Sequence, residues 1–234
     1  MKKILLTLLL IFFTFPHGVR AQEVILSVPF SPQAPDAHWV EPWENACEET
    51  SIVMIHAYYT GQTLNKNTAK VNILSVLRNK NKNEGKSKDE SPEKVVNMMN
   101  RTGQWSAHVE KSFDVEKIKK EINEKRPVLV PFDATKVNNP NFQSNIVYHM
   151  VVVIGYDDEK QIFLVHDPGT SRGEKFQYGY TELKEANTSF LIRDTGEVLG
   201  NQVIFTSPEK IIFGNQNKKG FFQILWEKIH SWFS

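Results

Sequence analysis

Cys47 is the only cysteine among 234 residues, so whatever a thiol does in this chain it does at one position. It opens the stretch Cys47-Glu48-Glu49-Thr50-Ser51-Ile52-Val53-Met54-Ile55-His56-Ala57-Tyr58-Tyr59. Ile52, Ile55 and Tyr59 recur there at helical spacing, and the apolar residues between them predict a helix buried on most sides. Gly61 is placed to stop it. A thiol at a helix N-terminus meets the positive end of the dipole and unpaired N–H groups, both of which favour the nucleophilic thiolate. Glu48 and Glu49 oppose this if they face the sulfur. The plainer use of such a residue is as a small buried hydrophobe.

A nucleophilic thiol needs a base and a group that orients the base. The chain offers both on one predicted hairpin. Val147–Tyr156 and Gln161–His166 read as strands joined by Asp157-Asp158-Glu159-Lys160. If Tyr156 faces Lys160 or Gln161, His149 falls opposite Asp167 or one place from its partner. Directly opposed side chains share a face with Cβ atoms roughly 4.5–5.5 Å apart, so imidazole and carboxylate could hydrogen-bond. A slip of one residue would turn the two to opposite faces. His166 neighbours Asp167 in sequence and so points to the other face. His56 lies on the buried helix and reads as a core histidine. No pair of histidines has helical or hairpin ligand spacing, so no metal is expected, and nothing calls for a cofactor.

The remaining elements must position these residues. Val24–Phe30 reads as a strand running into the proline-punctuated loop Ser31-Pro32-Gln33-Ala34-Pro35, which continues past Trp39, Pro42 and Trp43 to Cys47. The two tryptophans suit either an aromatic substrate wall or a latch over the core. Thr68–Leu77 has helical spacing in Val71, Leu74 and Leu77. Arg78–Glu90 then loses nearly all apolar residues and reads as a solvated, mobile loop. Ser91-Pro92 opens a helix running toward Gly103. Asp114 caps another, with Val115, Ile118 and Ile122 inward, ending before Pro127. Val128–Phe132 is a strand, and Asn138-Asn139-Pro140-Asn141 a turn. Segments around Phe190–Ile192 and Val203–Phe205 are read as completing the sheet. Helices followed by mostly strands predict an α+β fold.

The two ends differ from this middle. Lys2 and Lys3, the apolar run Ile4–Phe15 and the small-residue pattern Val19-Arg20-Ala21 have the three parts of an export signal over residues 1–21. The run is short for a membrane span, which takes about 20 residues, although an uncleaved anchor is the alternative. Removing Lys2, Lys3 and Arg20 takes the net charge from +1 to about −2, which leaves no basic excess for nucleic acid. Because exported proteins tend to pair their thiols, a single leftover cysteine reads as a reactive one. The tail, residues 214–234, is amphipathic, with Phe221, Phe222, Leu225, Ile229 and Trp232 on one side. It is too short to span a membrane and is read as packing on the domain, with a membrane surface or a partner as the other uses. The mature chain is expected to hold no transmembrane domain.

Three blocks in order resemble a known group: Val28-Pro29-Phe30…Gln33-Ala34-Pro35…Trp39…Ala46-Cys47-Glu48-Glu49-Thr50-Ser51; Tyr148-His149-Met150-Val151-Val152…Gly155-Tyr156; and Asp167-Pro168-Gly169-Thr170…Arg172-Gly173-Glu174. They look like a peptidase family 39-like domain, a papain-like cysteine peptidase fold related to domains that trim bacteriocin leaders. The resemblance covers roughly Val24 to Asn187 within a domain taken as residues 22–213. It implies a helical N-terminal part carrying the cysteine and an antiparallel sheet carrying the histidine and acid. It further implies Cys47 as nucleophile, His149 as general base, Asp167 as third member and Gln33 as oxyanion-hole donor. Many leader-trimming relatives have Gly-Pro after the cysteine and are fused to transporters. This chain has Glu48-Glu49 and no transporter, so the leader substrate is not carried over.

The expected protein is therefore an exported thiol hydrolase, extracellular or periplasmic, that cuts an amide bond in a peptide or peptidoglycan-type substrate through an acyl-enzyme. The same residues would serve an acyltransferase or cell-wall amidase, and a non-catalytic peptide-binding module could keep the same fold. Protein recovered from the envelope or medium should begin at about Gln22. N-terminal sequencing that found Lys2 and Lys3 intact there would instead show an anchor.

Overall fold

Met150 to Ile154 is an unbroken apolar run, and the strand that contains it is the centre of the molecule. The computed structural model describes residues 23–102, 104–142 and 146–208. The export-type segment, Gln22, Gly103 and the amphipathic tail lie outside the described residues. The chain runs β1 (Glu23–Ile25), α1 (Cys47–Thr60), α2 (Lys66–Asn83), α3 (Pro92–Asn100), β2 (Ser106–Glu110), α4 (Val115–Asn123), β3 (Val128–Asp133), β4 (Tyr148–Asp157), β5 (Ile162–His166), β6 (Phe176–Gly179), α5 (Tyr180–Asn187), β7 (Phe190–Ile192), β8 (Glu197–Leu199) and β9 (Val203–Ser207). The main sheet is antiparallel, in the order β2-β9-β3-β4-β5-β6. β1 adds to β4 beyond the end of β3. All ten residues of β4 are buried, which is why its sequence shows no polar alternation: both faces of the sheet centre are covered. α1 packs against β4, and α5 against β3.

Several expectations hold in detail. α1 is buried throughout from Cys47 to Ala57 and ends at Gly61, whose φ of 68° and N–H bond to the Ala57 carbonyl make a left-handed cap. The Ser91 hydroxyl accepts from the Lys94 N–H, with Pro92 at the first helical position. The Asp114 carboxylate accepts from the N–H groups of Glu116 and Lys117. Ile118 and Ile122 are completely buried, and each contributes on the order of 1.5–3 kcal/mol by leaving water.

Others are corrected. The first strand stops at Ile25, and only the Leu26 N–H bond to the Ile154 carbonyl, at 2.7 Å, prolongs it. β7 pairs with β8 in a separate two-stranded hairpin, so only β9 joins the main sheet. The short β2 and β6 and the helix α5 were not legible in the sequence.

The largest correction is the segment 78–90. It is a solvated loop only in part: α2 continues to Asn83, and Lys80, Asp89 and Glu90 are buried, while Arg78, Lys82, Asn83, Gly85, Lys86 and Lys88 are exposed. Ala69, Ile73, Val76 and Lys80 fall on one helical stripe, and all four are buried. The physical reason lies under α1, whose first turn buries Glu48 and Glu49. Lys80 Nζ meets Glu49 Oε1 at 2.8 Å, and it also donates to the Ser87 carbonyl at 2.9 Å. A buried carboxylate demands such a partner.

Lys80→Met should therefore cost about 3–5 kcal/mol at neutral pH, because it strands Glu49 without a cation. The double variant Lys80→Met/Glu49→Gln should recover a large part of that loss. Urea denaturation of the three proteins measures both effects.

Candidate active site

Gly169 lies where a hairpin partner of His149 would sit, and it decides how His149 and Asp167 meet. The expected registers placed His149 opposite Asp167 or one place from its partner. In the structure Asp157, Tyr156 and Gly155 pair with Ile162, Phe163 and Leu164, whereas Val153 and Val152 pair with Val165 and His166. β4 thus carries one extra residue, Ile154, a β-bulge. Continuing the upper register places Asp167 opposite Val151 and Gly169 opposite His149. Had the lower register run on without the bulge, Asp167 would face Val152, on the other side of the sheet from His149. The bulge restores the shared face, and the two residues meet diagonally: His149 Nε2 lies 2.6 Å from Asp167 Oδ1. The imidazole reaches the acid by passing over Gly169. A Cβ at that position would stand 2.8 Å from His149 Cε1 and 2.9 Å from Nε2.

Asp167 is fully buried, and its carboxylate is surrounded by donors. Oδ1 accepts from the Gly169 N–H at 2.9 Å. Oδ2 accepts from the Tyr178 hydroxyl at 2.7 Å and from Asn139 Nδ2 at 3.0 Å. Burial by itself pushes this carboxyl up. The imidazole of His149 and these hydrogen bonds outweigh burial and hold Asp167 below the ordinary carboxylate range. Phe132 and Phe142 stand edge-on to the His149 ring, with centroids at 5.6 and 5.4 Å, and set its plane.

Cys47 is the first residue of α1 and borders a pocket of about 180 Å3 lined also by Gln33, Asn45, Asp89, Tyr148 and His149. The structure therefore brings together all four residues expected at the site. His149 Nε2 is committed to Asp167, which leaves Nδ1 as the ring nitrogen not engaged by the acid. Gln33 is buried, its N–H bonds the Pro168 carbonyl at 2.9 Å, and its side-chain Oε1 has no hydrogen-bond partner among the described residues. The loop bearing Gln33 is thus tied to the turn that bears Asp167. Ala46 offers α1 no side-chain cap.

The expected acidic thiol is not what the structure builds. Cys47 Sγ lies 3.0 Å from Glu48 Oε2, the thiol donating to the carboxyl. Burial first, and then the Glu48 charge, push the Cys47 thiol well above its ordinary value. Helix-terminal N–H groups favour a thiolate, but here a buried carboxyl on the next residue opposes them.

The tryptophans do not wall the pocket. Trp43 packs on the core, and neither it nor Trp39 lines the cavity. The wall is polar instead. Arg193 grips Asp89 through Nε at 2.7 Å and Nη2 at 2.6 Å, and Nη2 also reaches Asn45 Oδ1 at 3.0 Å. This clamp links the chain just before Cys47 to the segment 87–90. His166 faces the other side of its strand, as expected, and bonds the Val28 carbonyl at 2.8 Å. His56 is buried on α1 and accepts from Trp105 Nε1 at 3.3 Å.

Asn139, Tyr178, Asp89 and Arg193 escaped the sequence reading, whereas Glu48 was read there as opposing the thiolate if it faced the sulfur. Asn139 was legible only as a turn residue, and Tyr178 sits on the four-residue strand β6. Asp89 lay within an apparently solvated charge run. The one available signal was Lys80, a cation on the apolar stripe of α2.

With fold and site described, the comparisons with known proteins have their place. A family model, the Peptidase_C39 like family, matches residues 25–193, and the chain belongs to that family. A Bacillus anthracis protein assigned as a C39-like peptidase, known by its crystal structure, shares the fold at a TM-score of 0.50 and 19% identity, covering 81% of this chain and 100% of its own. No curated protein matches the chain.

Tyr178→Phe removes one donor from Asp167, so the folded carboxyl should titrate higher. The sign follows from linkage: a depressed carboxyl stabilises the fold above its unfolded value, and the gain is lost as pH falls through the folded value. At neutral pH the variant should be less stable by about 1.5–3 kcal/mol. That gap should narrow as urea denaturation is repeated from about pH 7 down to pH 3.

Proposed function

We propose that this chain is an exported cysteine hydrolase that cuts an amide bond in a peptide or peptidoglycan-type substrate. The observation that carries this reading is His149, held by Asp167 at 2.6 Å and bordering one pocket with Cys47 and Gln33. Membership of the family supports a cysteine peptidase-like enzyme. The export-type N-terminus supports an extracellular or periplasmic location.

The chemistry follows from which atoms are committed. The Cys47 thiol gives its proton to His149 Nδ1, because Nε2 is engaged by Asp167. Asp167 holds the ring in the matching tautomer and stabilises the imidazolium that forms. The thiolate attacks the carbonyl carbon of the scissile amide. Charge develops on the carbonyl oxygen, where the Gln33 amide and the N–H groups opening α1 are the available donors. The imidazolium returns its proton to the leaving amine, and the acyl group stays on sulfur as a thioester. A water that has lost a proton to His149 then attacks the thioester, releasing the acid and restoring the thiol.

Treatment with a broad thiol-directed activity probe, followed by mass spectrometry of the digest, should find the label on Cys47. Cys47→Ala should abolish turnover, and His149→Ala should come close. Asp167→Asn should cost less than the roughly 10⁴-fold loss seen in serine triads. Gln33→Ala should lower turnover about 10²-fold while leaving alkylation near normal. These losses should be non-additive in combination. Product analysis with an amine acceptor separates transfer from hydrolysis. Labelling indifferent to His149→Ala would remove this reading and leave the peptide-binding module.

A further inference from the structure

Four buried carboxyl groups stand behind the Cys47 sulfur: Glu48, Glu49, Asp89 and Glu90. Amide cleavage by Cys47 and His149 does not require them. Three have their own cations. Glu49 meets Lys80 at 2.8 Å, Asp89 is gripped by Arg193, and Glu90 meets Lys94 at 3.2 Å and Lys80 at 3.7 Å. Glu48 has none among the described residues. Its Oε1 accepts the Glu90 N–H at 2.8 Å, and its Oε2 lies 3.0 Å from Cys47 Sγ. A carboxyl that is 1% exposed, has one N–H donor and sits among three other acids is costly to ionise. Keeping its proton is the cheaper state. Since Oε1 is used as an acceptor, the proton belongs on Oε2, the oxygen that faces the sulfur.

We propose that Glu48 acts on the nucleophile as a neutral carboxylic acid, its Oε2–H donating a hydrogen bond to the Cys47 thiolate once the thiol proton has passed to His149, so that ionisation of Glu48 turns the site off. This inference rests on the reading of Cys47 and His149 given above. The proton count closes: the thiol proton moves to His149 Nδ1, the Glu48 proton stays on Oε2, and the 3.0 Å contact reverses its polarity when the sulfur becomes the anion. With Glu48 ionised, two negative charges would face each other at that distance, and the thiolate would not form.

The groups facing Glu48 agree with this assignment. Glu49 of α1 and Asp89 from the loop before α3 raise its affinity for a proton, and Lys80 of α2 lowers it. Glu90 presents its N–H, Tyr148 of β4 is a buried phenol, and Arg193, which grips Asp89, also feels the Glu48 charge and opposes the rise. Burial first, and then the Glu49 charge, push Glu48 up to about 8. An ordinary thiol alkylates faster as pH rises through about 8.5. This one should slow above the Glu48 midpoint.

The test is iodoacetamide alkylation of Cys47 against pH in the full protein, comparing wild type with Glu48→Gln and His149→Ala, and with thermal melts to confirm folding. Gln keeps both hydrogen bonds of Glu48, through an oxygen to the Glu90 N–H and an N–H to the sulfur, but cannot ionise. The wild-type rate should fall above about pH 8, approaching tenfold per pH unit, and Glu48→Gln should lack that fall. Wild-type and Glu48→Gln profiles with the same alkaline limb would overturn the proposal, even with alkylation dependent on His149. Alkylation indifferent to His149→Ala would instead overturn the reading of the nucleophile itself. Should Glu48→Gln not fold, carbon NMR of the Glu48 carboxyl in the wild type decides: a midpoint between about pH 7 and 9 supports the proposal, and one near the ordinary value of about 4.3 overturns it.

Discussion

The hydrogen bond between His149 and Asp167 depends on one extra residue in β4. Side chains alternate along a strand, so two residues on a hairpin share a face only if the count between them has the right parity. Ile154 changes that parity midway along β4. Its carbonyl accepts the Leu26 N–H at 2.7 Å, so the bulge is held by the strand beside it. Gly155, the next residue, is where β1 crosses closely: a Cβ there would stand 2.2 Å from the Val24 carbonyl oxygen. A bulge, a close crossing and the N-terminal strand are thus one arrangement, and the geometry of the base follows from it.

The acid side of the site is built for a fixed charge. Asp167 is buried yet accepts four hydrogen bonds, from His149, Gly169, Tyr178 and Asn139. Donors that surround a carboxylate replace the water it has lost. They also leave the ring of His149 one orientation, which Phe132 and Phe142 support from either side. The nucleophile side is built differently. Cys47 is buried beside a carboxyl that has no ion-pair partner among the described residues, and a set of ion pairs joins α1, α2, the segment 87–90 and Arg193. One half of the site is satisfied as an anion, whereas the other places a buried carboxyl against a buried thiol.

Residue types and periods were enough to read α1 with its Gly61 cap, the capped helices α3 and α4, the strands β3 to β5, and the candidates Cys47, His149 and Asp167, whereas Gln33 entered only through the family resemblance. The elements rest on information within about ten residues: an apolar period, a capping side chain, a turn. The chain by itself did not determine the register that turns His149 and Asp167 to one face, because a bulge leaves no mark in an unbroken apolar run. Nor did it reveal that Lys80, Asp89 and Glu90 within 78–90 are buried. Charged residues read as solvated unless their partners are known, and the partners of Lys80 and Arg193 lie 31 and 104 positions away, at Glu49 and Asp89. The fold likewise decided the state of the Cys47 thiol, first through burial. A helix N-terminus predicts an acidic thiol from local structure alone; burial, and Glu48 turned toward the sulfur, reversed that through contacts that only the folded chain makes.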